Sequence, residues 1–514
     1  MSSAAKLTIN SIANYLRLVI VLVAGIATMR FLLDVMGKPG YGLYSAISAS
    51  GTLLTFISSA LLVGSQRQIA YSIGIDNFEE RRRTFAGVVF SFLAIAVLIG
   101  GVGFAIRDTV LSSLDLGDIS FSVASATYSA AIVALVVNVA STPYRAAFTA
   151  RQQFGFTSTV DSGSKVILLF GALALPLFAT SPLVSYSRIT VLVGLLNLAL
   201  YASLSMRRFS ETRVRPSDLS LSTLKPIVTF AGWKLWESIA QALRQQGSIV
   251  AVNSFFGPTV NAAYSIGQQF AGHIVNVAGA ISAVIAPAAA TSEGKGQSQR
   301  LLQMSVVGSK YPVFAASFIA IPLLICTKET LELAIGTKAD QWMVAFLRIL
   351  IVTRVIGMIS WGEALAADAK GKVAVLSLAH TFPFFLAFGL VIACWTAEKL
   401  FSPYMMPITM LITTALIAVW FKPWWVGAML NRPYQKYLSD TILPVASSLA
   451  VPFAVAFAVN GTVQHPFAKL ILVSLVSGIS LVGSIWFFGM SPWERDKWIP
   501  LIRSAKKRLS TGLR

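Results

Sequence analysis

Charge is scarce in this chain: Asp, Glu, Lys and Arg make up only 12% of its 514 residues, about half the share of a typical soluble protein. Apolar residues take their place, at 55% with a mean hydropathy of +0.72. This balance excludes a water-soluble domain and predicts a chain whose solvent is lipid. Cysteine is nearly absent. The two that occur, Cys326 and Cys394, fall in or at the ends of predicted helices and support neither a disulfide framework nor a Cys-based zinc site. The three histidines, His273, His380 and His465, are too far apart in sequence to make metal-ligand spacing. A P-loop is also missing, which excludes nucleotide hydrolysis of that kind, and the Gly-rich stretch TSEGKGQSQR reads as a mobile turn between spans. Energy for any transport would then come from a gradient or from the substrate itself.

What is present is a series of apolar runs of about 20 residues, the length needed to cross hydrocarbon as a helix. About fourteen can be placed by that criterion, over roughly 12–33, 42–64, 85–106, 120–142, 158–178, 183–204, 227–252, 259–290, 311–327, 341–363, 373–395, 404–421, 441–459 and 468–489. No connector is long enough to fold as a separate soluble domain. The expectation is therefore an all-α polytopic membrane protein.

Orientation follows from the basic residues. Arg67, Arg81 to Arg83, Arg145, Arg151, Arg207, Arg208, Lys310, Arg432 and Lys436 lie in or beside connectors on one side, together with the tail RSAKKRLSTGLR. The tally is roughly 27 basic residues against roughly 6 on the positive-inside criterion, which places both termini in the cytoplasm. The formal net charge of +20 is largely this topology signal and its attraction to anionic headgroups, so nucleic acid is not expected as a partner. The first apolar run is too long for a signal-peptide core and lacks a small-residue cleavage site, so it is expected to stay as the first span.

Charges inside spans are costly and are functional candidates by default. In the stretch WKLWESIAQALRQQGS, at 100° per residue, Lys234, Glu237, Ser238, Gln241, Arg244, Gln245 and Ser248 share one stripe of the seventh span. The first span carries Asn10, Asn14, Arg17 and Thr28 in the same manner, with Arg30 near its outer end. Asp161 and Lys165 fall in the fifth span, Arg188 in the sixth, and Arg348, Arg354 and Glu363 in the tenth, with Asp368 just beyond. Lys234, Arg30 and Arg188 are near enough to helix ends to snorkel. Glu237 and Asp161 have partners at helical spacing, Lys234 and Lys165, which they would neutralise. Arg17, Arg244, Arg348 and Arg354 are harder to explain as structural. Several guanidinium groups in one cavity would bind phosphate in bidentate fashion, and their surplus over intramembrane carboxylates predicts an anionic cargo. The equivalent polarity of the first and seventh spans fits two related six-span halves with a site near their interface, followed by two added spans. The corresponding divisions are 1–215, 216–430 and 431–490, with a basic tail over 491–514. Gly247, Pro258, Gly272, Pro287 and Pro312 are candidate bend points.

Several of these stretches resemble polysaccharide exporters of the MOP superfamily, the Wzx-type flippases. RFLLDVMGKPGYGLYSAIS carries the pattern of Gly37, Tyr41, Gly42 and Tyr44 after an Arg; GSQRQIAY is similar to the family's end of the second span. GWKLWESIAQALRQQGSIVAVNSFFGPTVNAAYSIGQQF is the most specific match, and the resemblance covers most of residues 6–420. It implies a MATE-like, two-lobed, V-shaped MOP fold in the bacterial inner membrane. It also implies a non-enzyme that flips a polyprenyl-pyrophosphate-linked oligosaccharide to the periplasmic leaflet by alternating access, for O-antigen, capsule or exopolysaccharide synthesis.

On that reading Arg17, Arg30, Lys165, Lys234, Arg244, Arg348 and Arg354 bind the anionic head group, and Asn10, Asn14, Gln241 and Gln245 line the cavity. No cofactor is expected. Family members allow coupling to protons or sodium, for which Glu237, Asp161, Glu363 and Asp368 are the candidates. Polymerase and chain-length machinery are the implied partners, besides membrane lipids. A peptidoglycan-precursor flippase or a MATE-type exporter would share the fold, although an exporter of cationic drugs would be expected to have an acidic cavity. A membrane polymerase would need catalytic side chains on a large outer loop, and no outer connector exceeds about twenty residues by the span count.

Overall fold

The computed structural model describes residues 3–496 except 57, 59–60, 63–64, 66–68, 70–71, 73–77, 152, 178–180, 220–234, 237, 295, 337–338, 371 and 399–401. Of residues 3–20, 22, 154, 280, 283–284, 286–288, 290–291, 294, 373–376 and 379–380 it describes the backbone alone. Among the described residues the regular structure is entirely helical. Lipid leaves no other open-ended choice, since a helix satisfies its own backbone polar groups within one segment. Eight helices among the described residues are long and apolar enough to cross a membrane, and the chain is a multi-pass membrane protein.

Two helical runs are longer than a bilayer requires: α1 (Ser3–Leu53) and a later helix, Ser248–Gly294. Each is two helices joined at one glycine, Gly37 (φ 71°, ψ 174°) and Gly257 (φ 80°, ψ 171°). A side chain at either position would meet the left-handed penalty that glycine escapes. Proline follows closely in both, Pro39 and Pro258, where a ring that lacks an N–H is tolerated in the first turn of the next helix. The joints fall between the first and second, and the seventh and eighth, expected spans.

The helices between them are α2 (Phe78–Ala105), α3 (Phe121–Ala150), α4 (Phe154–Leu173) and α5 (Pro182–Arg208). Ser248–Gly294 is α6, followed by α7 (Ser298–Ile325), α8 (Gln341–Met358), α9 (Trp361–Ala369) and α10 (Val373–Thr396). The chain closes with α11 (Met405–Ala415), α12 (Lys422–Met429), α13 (Leu443–Val459) and α14 (Pro466–Ser484). Helices α11 and α12 are joined by a π-turn, Leu416–Phe421, into one span.

The chain divides into two compact units. The first comprises Met1–Ile266, Ala334–Gly336 and Ser377–Met406; the second comprises Gly267–Leu333, Thr337–Leu376 and Pro407–Arg514. In the first, α3 packs along α2 and α5, while α1 packs on α4. Leu43, Ala46 and Ile47 of α1 enter one apolar core with Tyr128 and Ile132 of α3. In the second, α7 is central, with α8, α9, α13 and α14 around it. Its apolar window is 72% buried, against 17% for α5 in the first unit. That centrality explains how a serine-rich helix with Ser305, Ser309 and Lys310 serves as a span: its polar side chains face protein rather than lipid.

Candidate functional site

The polar seventh span enters α6 through a π-turn, Leu243–Gly247. The Ser248 backbone N–H donates to the carbonyl of Leu243, one residue further back than an α-helix would reach. The carbonyl of Arg244, bypassed by this wider turn, accepts instead from Ser248 Oγ at 2.9 Å. Gly247 keeps the widened turn close to its neighbours, since a Cβ there would lie 3.2 Å from Leu243 and 3.5 Å from Phe388. The turn also packs against α1.

Arg244 is held within this frame. Its Nη2 donates to Gln241 Oε1 at 2.7 Å, and its guanidinium lies 5.2 Å from the centre of the Phe384 ring on α10. Arginine on an aromatic face is a cation–π contact that fixes the plane of the guanidinium. Gln241 is exposed, and Arg244, Gln245 and Gln246 are half-buried, while Ser248 is fully buried. Five residues on, Asn253 is completely buried with neither side-chain polar atom hydrogen-bonded among the described residues.

Other expected cations have separate settings. In the first unit Arg30 is exposed and lies against Gly336, and Lys165 and Arg188 are exposed on α4 and α5. In the second unit Arg354 Nη2 donates to Gln268 Oε1 at 2.8 Å, and Arg348 Nε donates to Thr327 Oγ1 at 3.1 Å. Arg244 and Arg354 thus share one device, a glutamine amide oxygen that orients the guanidinium. The side chains of Asn10, Asn14 and Arg17, and all of Lys234 and Glu237, lie outside the described residues.

The expected carboxylates are placed differently. Asp161 does not use its helical neighbour Lys165 as its ion-pair partner. It accepts from Arg145 Nη2 of α3 at 2.7 Å and from Tyr201 Oη of α5 at 3.2 Å. Asp368 is exposed near the end of α9. Glu363 is buried on α9, where Gly362 permits a very close approach of α7: a Cβ at Gly362 would sit 1.7 Å from the carbonyl oxygen of Ser305. Consequently Ser309 Oγ donates to Glu363 Oε2 at 2.7 Å and Ser305 Oγ to Oε1 at 3.3 Å.

Arg432 completes this second network, 3.6 Å from Glu363 and 3.6 Å from Asp440. Arg432 and Glu363 are only 2% and 3% exposed. Tyr437 lies under the guanidinium at 5.2 Å and donates its hydroxyl to the carbonyl of Ile359, at the break between α8 and α9. Nearby, Lys310 makes a buried 2.6 Å ion pair with Glu494 and donates to the carbonyl of Gly489 at 2.9 Å. Lys310 and Arg432, which look like connector charges in the sequence, are therefore internal ion-pair members. Glu494 and Glu363 are far from them along the chain, so nothing local in the sequence pointed to these pairs.

No family model matches the chain, and no curated protein matches its sequence. Solved structures do match in fold. A lipid II flippase, MurJ, in an inward closed conformation aligns with TM-score 0.64 over 93% of this chain and 98% of its own, at 11% identity. An inward-facing multidrug resistance MATE family transporter of the MOP superfamily aligns with TM-score 0.61 over 80% and 94%, at 15% identity. A Pyrococcus furiosus MOP superfamily transporter, whose reverse polarity of binding pocket suggests a different function, aligns with TM-score 0.55 over 82% and 94%, at 14% identity. The chain therefore has the MATE-like fold of these MOP superfamily structures.

Proposed function

We propose that this protein is an inner-membrane flippase that moves a polyprenyl-pyrophosphate-linked oligosaccharide from the cytoplasmic to the periplasmic leaflet by alternating access, for surface polysaccharide synthesis. The observation that carries the reading is the setting of Arg244: a guanidinium in a membrane span, oriented by an amide and an aromatic ring. Placing a cation in a span costs about 2.5–3.5 kcal/mol at the bilayer centre, and an anionic head group offsets that cost. Arginine suits pyrophosphate because its planar fork binds two oxygens at once. Gln241 and Gln245 offer hydrogen bonds to sugar hydroxyls, and Arg354, oriented by Gln268, is a candidate cation of the second unit by itself.

Two observations weigh between readings within the fold. The MurJ alignment takes in 93% of this chain, and the MATE alignment 80%, which favours a flippase with the two added C-terminal spans over a drug exporter. A peptidoglycan-precursor flippase is therefore the second reading, distinguished by head group alone. For coupling to protons or sodium, Glu237, Asp161, Glu363 and Asp368 are the candidates, of which Glu363 is already engaged by Arg432.

The test is head-group accessibility in proteoliposomes loaded with undecaprenyl-pyrophosphate oligosaccharide or with lipid II. Movement of the first that Arg244→Ala and Arg354→Ala abolish supports the proposal; movement of lipid II alone selects the second reading. Movement unaffected by both substitutions overturns the assignment of these arginines.

A further inference from the structure

The connector that follows α5 is folded onto the first unit. Its two short 3-10 turns, Ser210–Thr212 and Pro216–Asp218, pack on α2. Phe209 and Val214 rest on the apolar core that α2 and α3 share through Phe85, Val89, Ala146 and Ala147. Two carboxylates fasten it there. Buried Asp218 accepts from Arg82 Nη2 of α2 at 2.9 Å, and Glu211 accepts from Arg151 Nη2 at the end of α3. Arg82 also reaches Glu79 at 3.2 Å. Arg151 donates its Nη1 to the carbonyl of Ala147 at 2.9 Å and lies 4.0 Å from the centre of the Phe209 ring.

Arg81 is left over. It stands beside Arg82 in the first turn of α2, half-buried, and has no ion-pair partner among the described residues. Its Nε, like that of Arg82, is buried without a hydrogen-bond acceptor. Burial pushes the Arg151 guanidinium below its ordinary value, and the like charge of Arg81 adds to this against the pull of Glu211. A charge that only sets topology can stay in water, as Arg83, Arg208 and Arg215 do here. A half-buried guanidinium with an unused N–H costs free energy until an acceptor reaches it.

Residue type and depth narrow the acceptor. The one lysine of residues 78–219, Lys165, lies midway along α4, so this corner of the protein uses arginine alone. Arginine grips two phosphate oxygens at once, where lysine offers a point charge. Arg81 opens a span, which sets it at head-group level. Exposed Leu93 and Val97 on α2, and Leu196 and Leu200 on α5, offer apolar surface to acyl chains.

We propose that Arg81, with Arg151 behind it, binds the phosphate of an anionic phospholipid in the leaflet that the basic-residue distribution assigns to the cytoplasm, as basic pockets between spans do. The site is independent of what the protein transports.

The test follows thermal unfolding of the full chain in neutral detergent during titration with phosphatidylglycerol or phosphatidylcholine. Phosphatidylglycerol is expected to raise the melting temperature of the parent, and phosphatidylcholine to leave it unchanged. Arg81→Gln, read against its own lipid-free value, is expected to need about tenfold more phosphatidylglycerol for the same rise, the loss of one charge-assisted contact. Arg81→Lys should fall between. Arg83→Gln removes the same charge from an exposed neighbour and is expected to shift the titration by less than about twofold. Equal shifts for Arg81→Gln and Arg83→Gln would mean diffuse attraction to the leaflet and overturn the site. No rise in the parent, an equal rise with phosphatidylcholine, or a parent-like titration of Arg81→Gln would overturn it too. Free glycerol phosphate at matched concentration is expected to have no effect; an equal rise would make the ligand a soluble phosphate and overturn the lipid assignment.

Discussion

Arg244 and Arg432 are both guanidinium groups inside a helical membrane protein, and they are held by different means. Arg432 lies beside Glu363 and Asp440, with Tyr437 beneath it and hydroxyls around its partner. Arg244 has Gln241 and Phe384 among its neighbours. A carboxylate pair neutralises a buried cation and ties helices together; an amide and a ring orient the guanidinium plane. The first arrangement fixes architecture, and the second fixes direction.

The sharpest way to break this comparison is Glu363→Ala. It leaves Arg432 without its buried carboxylate and is expected to cost about 3–5 kcal/mol, read as a fall in thermal stability in detergent. The double substitution Glu363→Leu, Arg432→Met should recover most of the loss, because a well-packed apolar pair can replace a buried ionic one. Equal stability of Glu363→Ala and the parent would deny the network its structural role. Arg244→Ala is expected to do the reverse, moving stability by under about 1 kcal/mol and lowering translocation by at least about tenfold, a loss of about 1.4 kcal/mol in interaction with the head group. Arg244→Lys should fall between, having charge without the fork.

The smallest expected effect comes from a third kind of site, outside the spans. Burial alone would raise the Glu329 carboxyl, but the hydrogen bond and charge of Lys469, 2.5 Å away, bring it below its ordinary value. A carboxyl lowered by folding stabilises the folded state above its unfolded pKa, and that contribution is lost as pH falls through the ordinary value near 4.5 toward the lower folded one. Lys469→Met should therefore flatten the acid side of the stability profile while leaving it unchanged in shape near neutrality. An identical acid limb in both proteins would remove the pair from the account.

The helical, membrane-spanning nature of the chain was legible because lipid imposes one local rule on every span. The expected seventh-span stripe was legible for the same reason: Gln241, Arg244, Gln245 and Ser248 obey a period of 3.6. Contacts between helices were not legible. Asp161 has Lys165 at a favourable spacing on its own helix, yet Arg145 of α3 supplies its 2.7 Å contact, a choice made by helix packing. Glu363 gave no hint of Arg432, and Lys310 resembled a topology charge until packing set it against Glu494.

The π-turn over Leu243–Gly247 has a consequence for phase. A π-turn holds one residue more than the α-turn it replaces, so removing a single residue there would let the helix close normally and leave the segments before and after it in nearly their present phase. Removing a residue from a regular turn beside it would instead rotate one segment by about 100° relative to the other. Arg244 stands at this register change. The supernumerary residue is absorbed where it stands, so a one-residue deletion outside the turn would leave composition and span length almost untouched and still turn the arginine's face away from its neighbours.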